Sequence, residues 1–210
     1  MNYFSNKNNA AIIVEVCRQI EANREYLSDV DGLIGDGDHG VNMSKGFSMA
    51  RGQITDADNF SAACKKLGDV LLLEIGGSMG PIYGTFFRSI TSVTKAHENI
   101  DLPIMTAALE KALNGIMEIG GAKVGDKTLV DTIFPTVEAL KTESDFGAAI
   151  DKAVTVAEVG MYSTKNMMAK VGRAARLGER SIGVLDAGSV SSFIILKSLL
   201  EGIKQQLLMC

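Results

Sequence analysis

Residues 60–71 read F-S-A-A-C-K-K-L-G-D-V-L, and this stretch is typical of the whole chain. Its apolar residues recur at intervals of three and four: Phe60, Ala63, Cys64, Leu67 and Leu71. That spacing places them on one face of an α-helix, whereas a half-buried strand would alternate apolar and polar residues. The stretch therefore predicts an amphipathic helix with one face in a core.

Seven more helices are predicted on either side of it. The first, sixth, seventh and eighth helices are predicted from apolar residues at helical spacing: Ile13, Val16, Cys17, Ile20 and Leu27; Leu129, Ile133, Val137 and Leu140, with a kink at Pro135; Phe146, Ala149, Ile150, Ala153 and Ala157; and Phe193, Leu196, Leu200, Ile203 and Leu207. The second helix spans 41–51. The fourth and fifth helices have Pro81 and Pro103 in their first turns, and the fifth ends at Gly120 and Gly121. No period-two run bounded by hairpin turns stands out. The fold class is therefore all-α, an up-and-down antiparallel bundle or barrel of eight helices.

The composition limits the functions to consider. A chain of 210 residues with 46% hydrophobic residues fits one domain, which we place over 1–210. The formal net charge of −4 gives no reason to expect nucleic acid. We find no leader and no membrane span, and expect a cytoplasmic protein without a membrane partner. Cys17, Cys64 and Cys210 lack metal spacing, so we expect reduced thiols.

Glycine clusters occur after the odd-numbered helices only. These loops are L1, D-G-L-I-G-D-G-D-H-G at 31–40; L2, G-G-S-M-G at 76–80; L3, G-G-A-K-V-G-D-K at 120–127; and L4, G-R-A-A-R-L-G-E-R-S-I-G-V-L-D-A-G at 172–188. In an up-and-down bundle all four emerge at the same end. One or two such loops would be plain helix C-caps, but four together indicate backbone that approaches a ligand closely.

Loop L1 carries three aspartates, Asp31, Asp36 and Asp38. Three like charges repel one another unless a cation or solvent relieves them, and an all-oxygen ligand set suits magnesium. A calcium loop starting at Asp36 fails, because Val41 stands where its turn glycine belongs and Phe47 where its glutamate belongs. The alternative is that one or two aspartates only cap the second helix.

Loop L2 leads into the fourth helix, whose N-terminal N–H groups suit a phosphate. The loop is not a P-loop, because G-x-x-x-x-G-K-[ST] is missing, and one glycine cluster before a helix is a weak signal. Lys123, Lys127 and Arg173 in L3 and L4 are candidate cationic contacts, although each alone is more often a solvated surface charge.

Together the four loops resemble those of the ADP-binding subunit of bacterial dihydroxyacetone kinases. The resemblance is carried by D-x-x-I-G-D-x-D-H-G-x-N-M at 31–43, G-G-S-M-G-P-I-Y-G-T-F-F at 76–87, V-G-D-K-T at 124–128 and L-G-E-R-S-I-G at 177–183. These motifs occur in the order and spacing of that family, so the resemblance is specific and spans nearly the whole chain.

The resemblance implies an eight-helix barrel with ADP or ATP at one end, and two magnesium ions held by Asp31, Asp36 and Asp38. The nucleotide contacts it implies are His39, Gly40, Val41, Asn42, Ser78, Met79, Gly120, Leu129, Arg173, Asp186, Ala187 and Gly188. It also implies two partners: a subunit that binds dihydroxyacetone covalently, and a phosphohistidine protein of the phosphotransferase system (PTS) that rephosphorylates ADP in place. The aspartates are then metal ligands, with no catalytic base in this chain.

The sequence departs from the family pattern inside the site. Met79 stands where a serine is usual, Ala187 replaces a proline, and Val184 replaces a histidine. Such changes resemble those of a diverged second copy of the subunit, acting on dihydroxyacetone or on a related short keto sugar. The rival interpretation is a nucleotide-loaded protein that docks to a transcriptional regulator. It would use a basic stretch, 165–180, that contains Lys165, Lys170, Arg173, Arg176 and Arg180 against the single acid Glu179.

Overall fold

The computed structural model describes residues 2–207, and over that range the chain is almost entirely helical. The described residues form nine α-helices, two 3₁₀ segments and two short strands. They are β1 (Tyr3–Ser5), α1 (Ala10–Ala22), α2 (Arg24–Gly32), α3 (His39–Arg51), α4 (Phe60–Glu74), α5 (Met79–Thr94), β2 (Asn99–Asp101), α6 (Leu102–Gly120), α7 (Val130–Leu140), α8 (Phe146–Ser163), the 3₁₀ segments Thr164–Asn166 and Ala174–Ser181, and α9 (Ala187–Gln205). The predicted all-α fold is confirmed.

The helices form a closed ring around one continuous apolar core. From α3 onward each helix packs against the next, while α1 packs against both α3 and α9 and so closes the ring. The core includes aromatic side chains such as Phe47 and Phe87, whose ring centroids lie 5.9 Å apart. Because successive helices are antiparallel neighbours, L1 to L4 emerge together at one end.

The prediction of the first helix is wrong in one respect, because the structure has two helices where one was predicted. Helix α1 ends at Ala22 and α2 begins at Arg24, with Asn23 between them. The Asn23 Nδ2 donates a hydrogen bond of 2.8 Å to the backbone oxygen of Gln19. Asparagine side chains compete with backbone hydrogen bonds in this way and favour helix ends. Since α1 and α2 both pack against α3, together they fill the place of the first predicted helix.

A small antiparallel sheet was not predicted from the sequence. Strands β1 and β2 pair with Phe4 opposite Ile100, and both of these side chains are fully buried. Three residues per strand are too few for alternation to be recognised. This sheet joins the N-terminal residues to the connection between α5 and α6, at the end of the bundle away from L1 to L4.

Cys17 and Cys64 are free thiols buried in the core. Burial raises the pKa of Cys17 to about 12, and the neighbouring Glu21 carboxylate adds to the shift, so the thiol stays protonated. Cys210 lies outside the described residues. Among the helices of residues 2–207, none combines the length and the apolar composition that a membrane span requires.

Candidate metal and nucleotide site

The three aspartates of L1 converge. Asp31 lies in the last turn of α2, Asp36 in the loop that follows, and Asp38 immediately before α3. One carboxylate oxygen from each lies within 4.8 Å of the others. Two glycines permit this arrangement. A Cβ on Gly35 would lie 2.3 Å from Asp31 Oδ1, and Gly37 has a φ of +76°, a conformation that favours glycine.

Within the described residues, only the Asp31 side chain accepts a hydrogen bond from the first turn of α3. Asp38 occupies the N-cap position of α3, yet its side chain makes no capping hydrogen bond. Asp31 accepts a hydrogen bond from the His39 backbone N–H, through Oδ2 at 3.3 Å. Most of the oxygens in this cluster therefore remain available to a cation. An all-oxygen, largely carboxylate ligand set fits a hard divalent ion such as Mg²⁺.

A cavity of about 660 Å³ opens beside the aspartates, and all four glycine-rich loops contribute to its wall. The predicted site residues that line it are Asp31, Asp36, Asp38, His39, Asn42, Ser78, Met79, Gly120, Leu129, Arg173, Asp186, Ala187 and Gly188. Gly40 and Val41 do not line it. A Cβ on Gly40 would lie 2.0 Å from the Arg24 backbone oxygen, so this glycine allows α3 to pack closely on α2, while Val41 is exposed on α3.

Loop L2 presents backbone to the cavity. Gly76, Gly77 and Ser78 are exposed and lead directly into α5, with Gly77 at a φ of +68°. The Ser78 side chain makes no capping hydrogen bond to α5. The N–H groups of the first turn of a helix have no partner within that helix, so they can bind an anion. Met79 is partly buried, lining the cavity and also packing on the core.

The cation nearest the aspartates is Arg173. Its guanidinium Nη1 forms an ion pair with the Asp36 carboxylate across the cavity, from L4 to L1. Both side chains are well exposed. Of the other cations proposed from the sequence, Lys123 is exposed and Lys127 is buried in the cavity wall.

A buried polar chain below the cavity was not foreseen. His39 Nε2 lies 2.9 Å from Ser191 Oγ, which in turn lies 2.6 Å from the Tyr83 hydroxyl. Burial lowers the pKa of His39 to about 4, although Asp31 opposes the shift, so the imidazole is neutral at pH 7. These two hydrogen bonds orient the His39 imidazole toward Tyr83 on α5 and Ser191 on α9. Ser191 lies 152 residues away from His39, and no local motif reveals that pairing.

Asp186 serves as the N-cap of α9. Its carboxylate accepts from the Ser189 backbone N–H at 2.7 Å. Burial raises the pKa of Asp186 to about 7; the hydrogen bond from Ser189 and the charge of Lys127 oppose the shift, whereas Asp131 and Asp31 add to it. The carboxylate is therefore only partly ionised at neutral pH, and it lies in the cavity wall.

Fold and site together define an all-helical barrel whose loops at one end form a carboxylate cluster beside a glycine-lined cavity. The chain belongs to the DAK2 domain family, whose profile matches residues 33–201. The resemblance noted from the four loops is confirmed by relatives of similar length.

One relative is the ADP-binding subunit DhaL of PEP-dependent dihydroxyacetone kinase 2 from Listeria innocua, 36% identical over 193 residues, which are 89% of this chain and 89% of the relative. Another is the ADP-binding subunit DhaL of the PTS-dependent dihydroxyacetone kinase from Lactococcus lactis, 38% identical over 185 residues, 87% of this chain and 90% of that one.

A solved structure supports the fold. The dihydroxyacetone kinase from C. freundii, crystallised with AMP-PNP and Mg²⁺, superposes with a TM-score of 0.67 at 22% identity. The match covers 91% of this chain and 33% of that protein, so our chain spans about a third of its length.

Proposed function

We propose that this chain is the nucleotide-binding subunit of a PTS-dependent dihydroxyacetone kinase. It holds Mg-ADP or Mg-ATP, and the γ-phosphoryl group passes to dihydroxyacetone bound on a separate subunit. A phosphohistidine protein of the PTS then rephosphorylates the retained ADP. The observation that carries the proposal is the convergence of Asp31, Asp36 and Asp38 beside the glycine-lined cavity. Relatives that share most of their length with this chain and are ADP-binding subunits support it.

The residues then have distinct roles. Asp31, Asp36 and Asp38 would hold the two magnesium ions, and Ser78 with the first N–H groups of α5 would bind phosphate oxygens. Bound magnesium neutralises phosphate charge, which is the main requirement of phosphoryl transfer. Arg173 can supply further positive charge from L4. The chain binds and orients the phosphates, and no residue in it needs to form a covalent bond.

The two histidines support a separate subunit for the ketone. His39 is buried and bonded to Ser191, while His97 lies in the connection between α5 and α6, at the opposite end of the bundle. Neither is placed to hold a ketone covalently at the mouth of the cavity. The continuous core supports one domain over 1–210.

Reconstitution tests the proposal. The purified chain, mixed with the dihydroxyacetone-binding subunit, the PTS phosphodonor and phosphoenolpyruvate, should form dihydroxyacetone phosphate, and each omission should abolish the product. A four-carbon keto sugar, assayed in parallel, examines the related-sugar alternative. Mass spectrometry and metal analysis should find one ADP and two magnesium ions per chain. A chain that stays nucleotide-free after incubation with Mg-ADP would refute the assignment.

A second role, docking to a transcriptional regulator, is favoured by the basic stretch at 165–180. All five of its basic side chains are exposed, and Lys165, Arg176 and Arg180 take part in no ion pair among the described residues. Exposed cations that have no partner suit an acidic protein surface. Reversing the charge of Arg176 and Arg180 to glutamate should abolish binding to a regulator if this face carries it, while nucleotide binding is kept.

A further inference from the structure

Lys127 is a charged residue inside the protein, with 1% of its surface exposed. Its Nζ donates to the backbone oxygen of Thr164 at 2.6 Å and to that of Val184 at 2.6 Å. A buried ammonium group is strongly unfavourable without hydrogen-bond partners, so these two carbonyls are what hold it there. Burial lowers the pKa of Lys127, and the charge of Asp186 opposes that shift.

The two carbonyls stand at the two ends of one segment. Thr164 directly follows α8, and Val184 lies shortly before α9, so residues 165–183 form the segment between them. The ends of this segment also pair with each other, since the Gly183 N–H donates to the Lys165 backbone oxygen at 2.8 Å. A single ammonium group from the connection between α6 and α7 therefore fastens both ends.

The fastened segment is a wall of the cavity. Val171, Gly172, Arg173 and Ala174 line it, and Arg173 reaches the Asp36 carboxylate on the far side. The segment thus spans from the Lys127 contacts to the aspartate cluster. If its ends separated, this wall would move away from whatever the cavity contains.

The backbone at Lys127 is held in an uncommon conformation that aims the side chain. Its φ is +62°, in the left-handed region that residues other than glycine rarely adopt. The buried Asp131 carboxylate fixes the turn on both sides by accepting from Gly125 N–H at 2.5 Å and Thr128 N–H at 2.8 Å. Such conformations persist where the surroundings over-determine them, and they cluster at ligand clamps.

We propose that Lys127 is a positioning residue, which clamps segment 165–183 over the cavity and thereby sets how long a nucleotide stays bound. The proposal rests on the nucleotide-binding function proposed above and deepens it. It assigns the ammonium group to the carbonyls of Thr164 and Val184, so Lys127 is not a phosphate contact. If ADP stays bound between turnovers, as the proposed function requires, its release must be slow, and this clamp would slow it.

Two substitutions and one control test the clamp. Lys127→Met keeps an unbranched side chain that is one atom shorter and has no donor, and Lys127→Gln keeps a donor for one carbonyl, so it remains usable if the methionine variant does not fold. The control is Lys111→Met on α6, where the lysine side chain is exposed, lies outside the cavity lining and makes no hydrogen bond within residues 2–207. We would measure release of a fluorescent ADP analogue by stopped flow in Mg²⁺. Release should be about 10- to 100-fold faster in Lys127→Met, less in Lys127→Gln, and unchanged in the control.

Competition by adenosine and ADP separates a clamp from a phosphate contact. A clamp predicts that Lys127→Met weakens both ligands by the same factor, whereas a direct phosphate contact predicts that ADP alone is weakened. A folded Lys127→Met or Lys127→Gln protein with an unchanged release rate, or a loss confined to ADP, would overturn the clamp. A role only in stability would lower the melting temperature and leave release from the folded protein unchanged.

Hydrogen exchange, measured on the nucleotide-free protein, tests the clamp independently of whether the protein binds nucleotide. Amides in 165–183 should exchange faster in Lys127→Met and Lys127→Gln than in the parent protein. If the parent protein bound no nucleotide, the proposed function would fail, while faster exchange in this segment would still show that Lys127 fastens it. Unchanged exchange would refute the clamp by itself.

Discussion

Arg173 forms an ion pair with Asp36, so a cationic side chain from L4 lies against the carboxylate cluster of L1. If Asp36 holds magnesium, as proposed, the metal must compete with that guanidinium for the same carboxylate. The displaced arginine would then be free to bind phosphate oxygens in the cavity.

Replacing Arg173 with glutamine should therefore change two affinities in opposite directions. Because an exposed ion pair contributes up to roughly 1 kcal/mol, we expect Mg²⁺ to bind the nucleotide-free Arg173→Gln protein about two- to fivefold more tightly. ADP should bind more weakly, since a cationic contact is lost. Arg176→Gln is the control, being exposed in the same loop and outside the cavity. Titration calorimetry measures both affinities. A fall in both would mean that Arg173 holds the carboxylate cluster in its metal-binding arrangement.

Asp38→Asn should weaken Mg-ADP binding and leave the empty fold intact. Asp38 makes no capping hydrogen bond, and its removal reduces like-charge repulsion with Asp31 and Asp36. We expect at least about a tenfold loss of Mg-ADP affinity and a smaller thermal shift with Mg-ADP. Asp29→Asn makes the same charge change on the exposed face of α2 and should behave like the parent. If Asp38→Asn instead melts earlier without ligand and binds normally, the aspartate is a structural cap.

Met79→Ser should improve phosphate binding. Met79 lines the cavity at the start of α5, where a hydroxyl would add a hydrogen bond to a charged oxygen and the thioether has no donor. Such bonds contribute roughly 1.5–3 kcal/mol, and because Met79 also packs on the core we expect the lower end, at most about tenfold in ADP affinity or transfer rate. Met49→Ser, exposed on α3, is the control. Unchanged binding in calorimetry would mean that Met79 serves the core alone and that Ser78 makes the phosphate contact.

Asp186→Asn should stabilise the nucleotide-free, metal-free protein above neutral pH. The folded pKa of Asp186 is about 7, well above its ordinary value of 3.8. The folded state therefore holds the proton more tightly, and this group's contribution to stability is full below about pH 4 and is lost as the pH rises through 7. Asparagine keeps the capping oxygen and carries no charge.

The gain should be on the order of 4 kcal/mol at pH 8 and nearly vanish near pH 4. Asp145→Asn is a matched control, because Asp145 caps α8 through the same kind of bond, 2.8 Å from Ala148 N, but is exposed. Urea unfolding at pH 4, 6 and 8 measures the difference. A gain of equal size at all three pH values would exclude the buried carboxylate as its cause.

The features that could be predicted, the helices and the grouping of the aspartates, depend on residues that are close together in the sequence. Phe60, Cys64 and Leu67 reveal a helix because a helix face repeats every three to four residues. Asp31, Asp36 and Asp38 could be grouped because a few residues of glycine-rich chain must bring them together. The break at Asn23 was missed because the apolar repeat continues past it to Leu27.

Local spacing and residue type were enough to predict the helical class, the common end of the four loops and the all-oxygen character of the carboxylate cluster. Which groups are buried, and what they face, depends on the packing of segments that are distant in the sequence. The Lys127 ammonium binds carbonyls 37 and 57 residues away, and His39 bonds to a serine on the last helix. From residue type and loop context alone, a lysine in a glycine-rich loop would be predicted to bind phosphate. Its role depends on desolvation and on available acceptors, and those exist only once α8 and α9 have packed beside it.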